Sequence, residues 1–354
     1  MNNFFIEKDI TEIILRTKNI INFFSGKKII ITGGRGFLGR YLTEIFNTYN
    51  KSFNDPIRLT VIDNLNIGNN ILNEWPNYKY FKFIKSDVSK KLNIDDDVDY
   101  IIHAAGIASP FYYRSKPLET LDVAVNGLKN VLNLAKDKKS KVVFFSSSEI
   151  YGDPDPKFIP TKENYRGNVS TMGPRACYDE SKRLGETLCY IYKNSVNIDV
   201  NIIRPFNIYG PGMHQNDYRV LPNFASKINS DKSIQIYGNG KQTRTYCYIT
   251  DAIVGFLNII TSGVSGEAYN IGNPKPEISV LELYEIIRKI LPNEIKKSIV
   301  NYPDSYPTDE PQRRCPDISK AQNHLNYYPE ITLEEGLKRF FIWTSENYKK
   351  ETSN

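Results

Sequence analysis

Residues Lys28-Ile29-Ile30-Ile31-Thr32 run directly into Gly33-Gly34-Arg35-Gly36-Phe37-Leu38-Gly39, and that junction constrains the fold more than any other stretch of the chain. A β-branched apolar run of this length reads as a strand buried on both faces, and the expected helix begins near Arg40. Gly33 permits the tight turn, Gly36 lets the backbone approach a pyrophosphate, and Gly39 lets the helix pack on the strand. The free N–H groups at the helix start, with Phe37 and Leu38 in the same loop, would face the phosphates. A second apolar run, Arg58-Leu59-Thr60-Val61-Ile62, ends at Asp63-Asn64, where a carboxylate would accept from a ribose 2′-hydroxyl and repel a 2′-phosphate. No Arg or Lys occurs from Asp63 to Asn70, so NAD is favoured over NADP. A turn or cap role for Asp63 is the plainer alternative.

From residue 28 onward, strand and helix patterns alternate, with strands expected near 28–32, 58–62, 80–84, 100–103, 141–146 and 198–204. This is the signature of an α/β protein with a Rossmann-type, doubly wound parallel sheet. Past Asn207 the alternation weakens at Gly210-Pro211-Gly212, and a smaller α/β substrate-binding domain begins. It is discontinuous, because Asp251 to Ile260 and Glu267 to Ile271 read as a helix and strand that rejoin the sheet. The expected division is residues 27–205 plus about 247–272 for the dinucleotide and 206–246 plus 273–354 for the substrate. Ahead of both, residues 1–26 carry isoleucines and Phe24 at helical spacing, an amphipathic helix packed on the body or a partner subunit. Asp87 and Val88, after the third strand, would meet the adenine, although Asp87 could equally cap a helix. Ala104 and Ala105, after the fourth, line the same cofactor path.

The 354 residues carry a formal charge of +6 spread along the chain, with no basic tail or aromatic-studded patch, which argues against nucleic acid and fits anionic small ligands. Four separated cysteines, no signal peptide and no apolar span of membrane length point to the cytoplasm and to no membrane. The three scattered histidines give a metal site no support, and His103 reads as a packed strand-end residue.

Tyr178 and Lys182 lie one helical turn apart and face the same space. An ammonium beside a phenol favours the phenolate, drawing a pKa of about 10 toward the range of a general base. A Y-x-x-x-K spacing is common by chance, but here it follows the glycine loop and the serine-rich strand end Ser147-Ser148-Glu149. With these motifs in place, the chain from about 28 to 340 resembles the extended short-chain dehydrogenase/reductase family acting on nucleotide sugars. Within it, Gly173-Pro174-Arg175-Ala176-Cys177-Tyr178-Asp179-Glu180-Ser181-Lys182 and Tyr237-Gly238-Asn239-Gly240-Lys241-Gln242-Thr243-Arg244 are similar to the UDP-glucuronate decarboxylases. Ala108-Ser109-Pro110 and Arg314-Cys315-Pro316-Asp317 also match blocks found there.

The resemblance implies bound NAD, a UDP-sugar substrate and a homodimer built on two helices per subunit. Tyr178 would be the base, Lys182 its partner and Ser147 the hydroxyl on the reacting oxygen, with Ser148 and Glu149 holding or protonating the ring. Arg175 and Arg244 would lie near the sugar, where a planar guanidinium suits a carboxylate. Arg219, Tyr237 and Arg314 would serve the nucleotide end, and Ser109 and Asn207 would add polar contacts. Three departures stand out: Asp217-Tyr218-Arg219-Val220 replaces an Asp-Gly-Arg-Val-like segment, Ser181 replaces the Gly before the lysine, and the N-terminal helix is extra. A 4,6-dehydratase would want Asp where Ser148 stands. A 4-epimerase and a nucleotide-sugar oxidase or reductase keep every motif named, and a dinucleotide-sensing protein without turnover is the remaining alternative.

Overall fold

The computed structural model describes residues 4–66, 79–292, 294–301 and 310–350; the end of the Asp63 to Asn70 run and parts of 273–354 lie outside them. The chain opens with α1 (Glu7–Arg16), β1 (Lys28–Thr32), α2 (Phe37–Tyr49), β2 (Arg58–Asp63), β3 (Phe81–Lys85) and β4 (Tyr100–His103). Two short helices, α3 (Pro110–Ser115) and α4 (Pro117–Asp122), lead to α5 (Leu128–Lys138), β5 (Lys141–Phe145), the long α6 (Ala176–Val196) and β6 (Val200–Pro205). Next come β7 (Ile208–Tyr209), α7 (Val220–Asn229), β8 (Ile234–Tyr237), β9 (Thr243–Arg244), β10 (Cys247–Tyr248), α8 (Ile249–Ser262) and β11 (Ala268–Ile271). The chain closes through β12 (Ile278–Ser279), α9 (Val280–Ile290), β13 (Lys297–Val300), β14 (Arg313–Arg314), α10 (Ser319–Leu325) and α11 (Leu333–Asn347).

Seven strands form one sheet in the order β11-β6-β5-β4-β1-β2-β3, and every pairing in it is parallel. Parallel strands need helices on both faces, which is why Ile29, Ile30 and Ile31 are all buried instead of alternating. One apolar layer joins the sheet to α2 and α8, and the other joins it to α5 and α6. Strand order reverses between β1 and β4, so a crevice opens at their carboxyl ends. The helix after the glycine loop starts at Phe37, a turn earlier than the sequence suggests. The reason lies at Gly39, where a Cβ would stand 2.4 Å from the Gly33 carbonyl oxygen, so this first turn packs directly on the loop.

Beyond the large sheet, β9 pairs antiparallel with β12 and parallel with β14, while β8 pairs with β13 and β7 with β10. Helix α9 is held at its start by a capping box between Ser279 and Glu282. Helix α1 packs on the body of its own subunit. Asp9, fully buried, accepts from Tyr248 Oη (2.6 Å) and Arg339 Nη1 (2.9 Å), and Arg16 Nη1 donates to Asp251 at 2.7 Å.

Candidate active site

The glycine loop closes over the end of β1 because Gly33 adopts φ +70° and approaches β4 so nearly that a Cβ would meet Ala105 Cα at 2.5 Å. Gly36 caps α2 without a side-chain acceptor, and a Cβ there would meet only the Gly33 carbonyl oxygen, at 3.3 Å. A groove of about 160 Å³ runs from this loop across Asp63, Asn64, Asp87, Val88, Ala104 and Ala105. These residues fit an extended dinucleotide lying on backbone. Asp63 accepts from the backbone N–H of Arg35 and Leu65, each at 2.9 Å, so it shapes the turn as well as lining the groove. Burial raises its pKa, and the two N–H donors and the Arg35 charge pull the other way. Asp87 Oδ1 accepts from Ser89 N and Oγ, which closes a turn; among the described residues no helix lies between β3 and β4 for it to cap. Phe37 and Leu38 pack toward the apolar layer under the loop, Phe37 edge-on to Tyr41 at 5.9 Å.

Tyr178 and Lys182 come side by side on α6, both almost fully buried. Lys182 Nζ lies 5.8 Å from the Tyr178 ring centroid and donates to the Phe145 carbonyl at 2.7 Å. Burial lowers the lysine to about 8, against the opposing pull of Glu186. Burial also pushes the Tyr178 phenol up to about 12, while a hydrogen bond with Ser147 draws it down. This differs from the sequence expectation of a phenol lowered by its lysine: desolvation prevails, and the Arg219 charge is among the weaker effects that oppose it. Among the three serines, the bond to Tyr178 singles out Ser147, whose Oγ also accepts from Glu149 N at 3.2 Å. Tyr113, which sequence reasoning missed, stacks on Tyr178 with centroids 5.3 Å apart and 12° between planes. His103 is buried beside them, its Nδ1 2.7 Å from Thr32 Oγ1, and burial followed by the Lys182 charge lowers it to about 3, so it is neutral.

One turn before Tyr178, Arg175 enters a buried ion cluster. It contacts Glu149 through Nη2, Glu310 through Nη1 at 2.5 Å and Asp179 through Nε at 3.4 Å. Arg244 Nη2 reaches Glu310 at 2.7 Å, and Arg314 Nη2 reaches Glu149 at 2.6 Å. Three guanidinium groups therefore face three carboxylates. Burial pushes Glu310 up, but Arg175, Arg244 and Arg314 outweigh it and hold it down at about 2. Arg314 thus shares one ion cluster with Arg175 and Arg244. Glu310 is the second residue missed, since nothing in its neighbourhood signals a partner 135 positions away.

The remaining positions lie around this centre. Arg219, at the cap of α7, is chelated by Asp217, and Asn207 holds φ +45° while donating to the Thr245 carbonyl at 2.8 Å. Ser109 Oγ is buried with no hydrogen-bond partner among the described residues. Tyr237 ends β8, half-buried, 3.4 Å from Gln235 Oε1.

Fold and site together define an NAD-dependent enzyme built around a tyrosine–lysine pair. The chain belongs to the NAD dependent epimerase/dehydratase family, whose model matches residues 29–272. It is 37% identical over 329 residues to UDP-glucuronic acid decarboxylase 1 of Danio rerio, covering 93% of this chain and 75% of that protein. Among solved structures, epimerase Mth375 of Methanothermobacter thermautotrophicus superposes with a TM-score of 0.80 at 26% identity, covering 96% of this chain and 97% of that one. UDP-glucuronic acid 4-epimerase of Bacillus cereus, in complex with UDP-glucuronic acid and NAD, gives 0.74 at 25% identity, covering 91% and 100%.

Proposed function

We propose that this protein decarboxylates UDP-glucuronate to a UDP-pentose through a 4-keto sugar, with no net consumption of NAD. One observation carries the reading: Arg175 precedes Tyr178 by one turn at the start of α6, Lys182 follows Tyr178 by another, and Ser147 bonds the phenol from the end of β5, so a base for a sugar hydroxyl sits beside a group made for a carboxylate. The Danio rerio and Bacillus cereus relatives, named for UDP-glucuronic acid chemistry, support it.

Residues 27–205 with about 247–272 hold NAD, through Gly33, Gly36, Gly39, Asp63 and the groove beyond; residues 206–246 and 273–354 cover the nucleotide sugar. Bound there, NAD would supply the hydride acceptor, and later the donor, for C4. Tyr178 takes the proton of the 4-hydroxyl, Ser147 steadies that oxygen, and the Lys182 charge favours the phenolate. The resulting 4-ketone makes the sugar a β-keto acid, so the C5–C6 bond breaks, carbon dioxide leaves and the electron pair becomes an enolate. A proton then adds at C5, near Glu149 and Ser148, and Tyr178 returns its proton to O4. One proton is consumed and one carbon dioxide formed.

A 4-epimerase acting on the same sugar is the second reading, favoured by the Bacillus cereus structure. Release of labelled carbon dioxide from carboxyl-labelled UDP-glucuronate tests between them: label in the gas supports decarboxylation, and label retained in a 4-epimer supports the alternative. The exposed apolar residues Leu118 on α4 and Leu184 and Ile191 on α6 support a homodimer joined through these helices, which light scattering would reveal. Four free cysteines suit a reducing cytoplasm.

A further inference from the structure

Two segments far apart in sequence meet close to Tyr178. Phe111, on α3, and Tyr218, just ahead of α7, stack ring on ring, with centroids 4.7 Å apart and 20° between planes. Both remain well exposed, at 46% and 57%. Exposed rings gain little from burial, so the contact is weak and reversible compared with a core pair. What lies behind each ring gives the contact its meaning. Two residues beyond Phe111, Tyr113 is stacked on the Tyr178 ring, and Tyr112 meets Phe111 edge-on at 5.2 Å. One residue beyond Tyr218, Arg219 acts electrostatically on the Tyr178 phenol. The stack therefore joins a loop of the dinucleotide-binding half to a loop of the other half, each tied at its inner end to the same tyrosine.

We propose that the Phe111–Tyr218 stack is a gate across the mouth of the cleft that slows escape of the bound nucleotide sugar; its role in turnover rests on the decarboxylase reading above. A keto sugar that leaves before hydride is returned strands the cofactor in its reduced form, so a barrier to escape raises the fraction of cycles completed. An aromatic pair of this kind is worth about a 2- to 10-fold change in a rate or equilibrium constant. That is enough to bias partitioning without locking the product in.

The test compares wild-type protein with Tyr218→Gly, Tyr218→Ala, Phe111→Ala, the double variant Phe111→Ala/Tyr218→Ala, and Tyr218→Phe, each first shown to retain its melting temperature. With UDP as the probe, stopped-flow dissociation from the NAD-loaded protein should be about 2- to 10-fold faster in the three single truncations, no faster again in the double variant, and unchanged in Tyr218→Phe. With UDP-glucuronate, the truncations should release more keto sugar and NADH per UDP-pentose formed. Wild-type UDP release rates in all truncations overturn the gate. If wild-type protein leaves UDP-glucuronate untouched, the decarboxylase reading fails, and the UDP dissociation rates still decide whether the gate exists. Should one truncation unfold, the remaining two and the Tyr218→Phe control carry the comparison.

Discussion

Lys182 holds its ammonium nitrogen 5.8 Å from the centroid of the Tyr178 ring, and the two share one buried face of α6. The proposed mechanism makes the tyrosine the proton-transfer group and the lysine the charge that assists it. Tyr178→Phe keeps the stacking surface for Tyr113 and removes only the hydroxyl. Turnover should fall by about 10²- to 10⁴-fold while NAD affinity, measured by calorimetry, stays unchanged. An equal loss in both would make Tyr178 a binding residue.

The same lysine predicts a pH dependence. Burial lowers its pKa from 10.5 to about 8, so the ammonium is lost as pH rises through 8, and kcat/KM should decline above that value. The sign for stability is opposite. Between about pH 8 and 10.5 the unfolded chain holds a proton on this lysine that the folded chain has released, so stability should increase with pH across that window. In Lys182→Met that increase should vanish from the pH series of melting temperatures, together with activity.

Asp63 faces the groove from the end of β2. Asp63→Asn removes the charge and turns an amide N–H toward one of the two backbone donors that the carboxylate now accepts from. NAD affinity should weaken by about 10-fold or more, with a small drop in melting temperature. Equal NAD affinity in the folded variant would refute a ribose contact.

Glu310 bridges Arg175 and Arg244, the two arginines proposed for the sugar carboxylate. With three carboxylates already against three guanidinium groups, an added carboxylate enters a neutral cluster. Glu310→Gln should therefore tighten binding of UDP-glucuronate by about 10-fold and leave UDP-glucose unaffected, at some cost in stability. Weaker binding of both would mean that Glu310 serves to position the arginines.

What the sequence disclosed and what it hid divide along the distance over which the signal acts. The glycine loop, the parallel strands and the α6 pair are written in neighbours, by apolar runs, by a turn that only glycine can make and by a spacing of four. Ser147 was one of three adjacent serines until its bond to Tyr178 distinguished it. Tyr113 and Glu310 carry no local pattern at all, because each gains its role from a partner 65 or 135 residues away: Tyr178 for the first, Arg175 for the second. The expected lowering of the Tyr178 pKa failed for a related reason, since a motif states which groups are near but not how completely water is excluded from them.

The most direct test of the central claim is to incubate the purified protein with UDP-glucuronate and NAD, identify the product by mass spectrometry and follow NADH by absorbance. The expected product is a UDP-pentose, formed with no net NADH and absent with Tyr178→Phe. Unchanged substrate, or an isomer of the same mass, would contradict it.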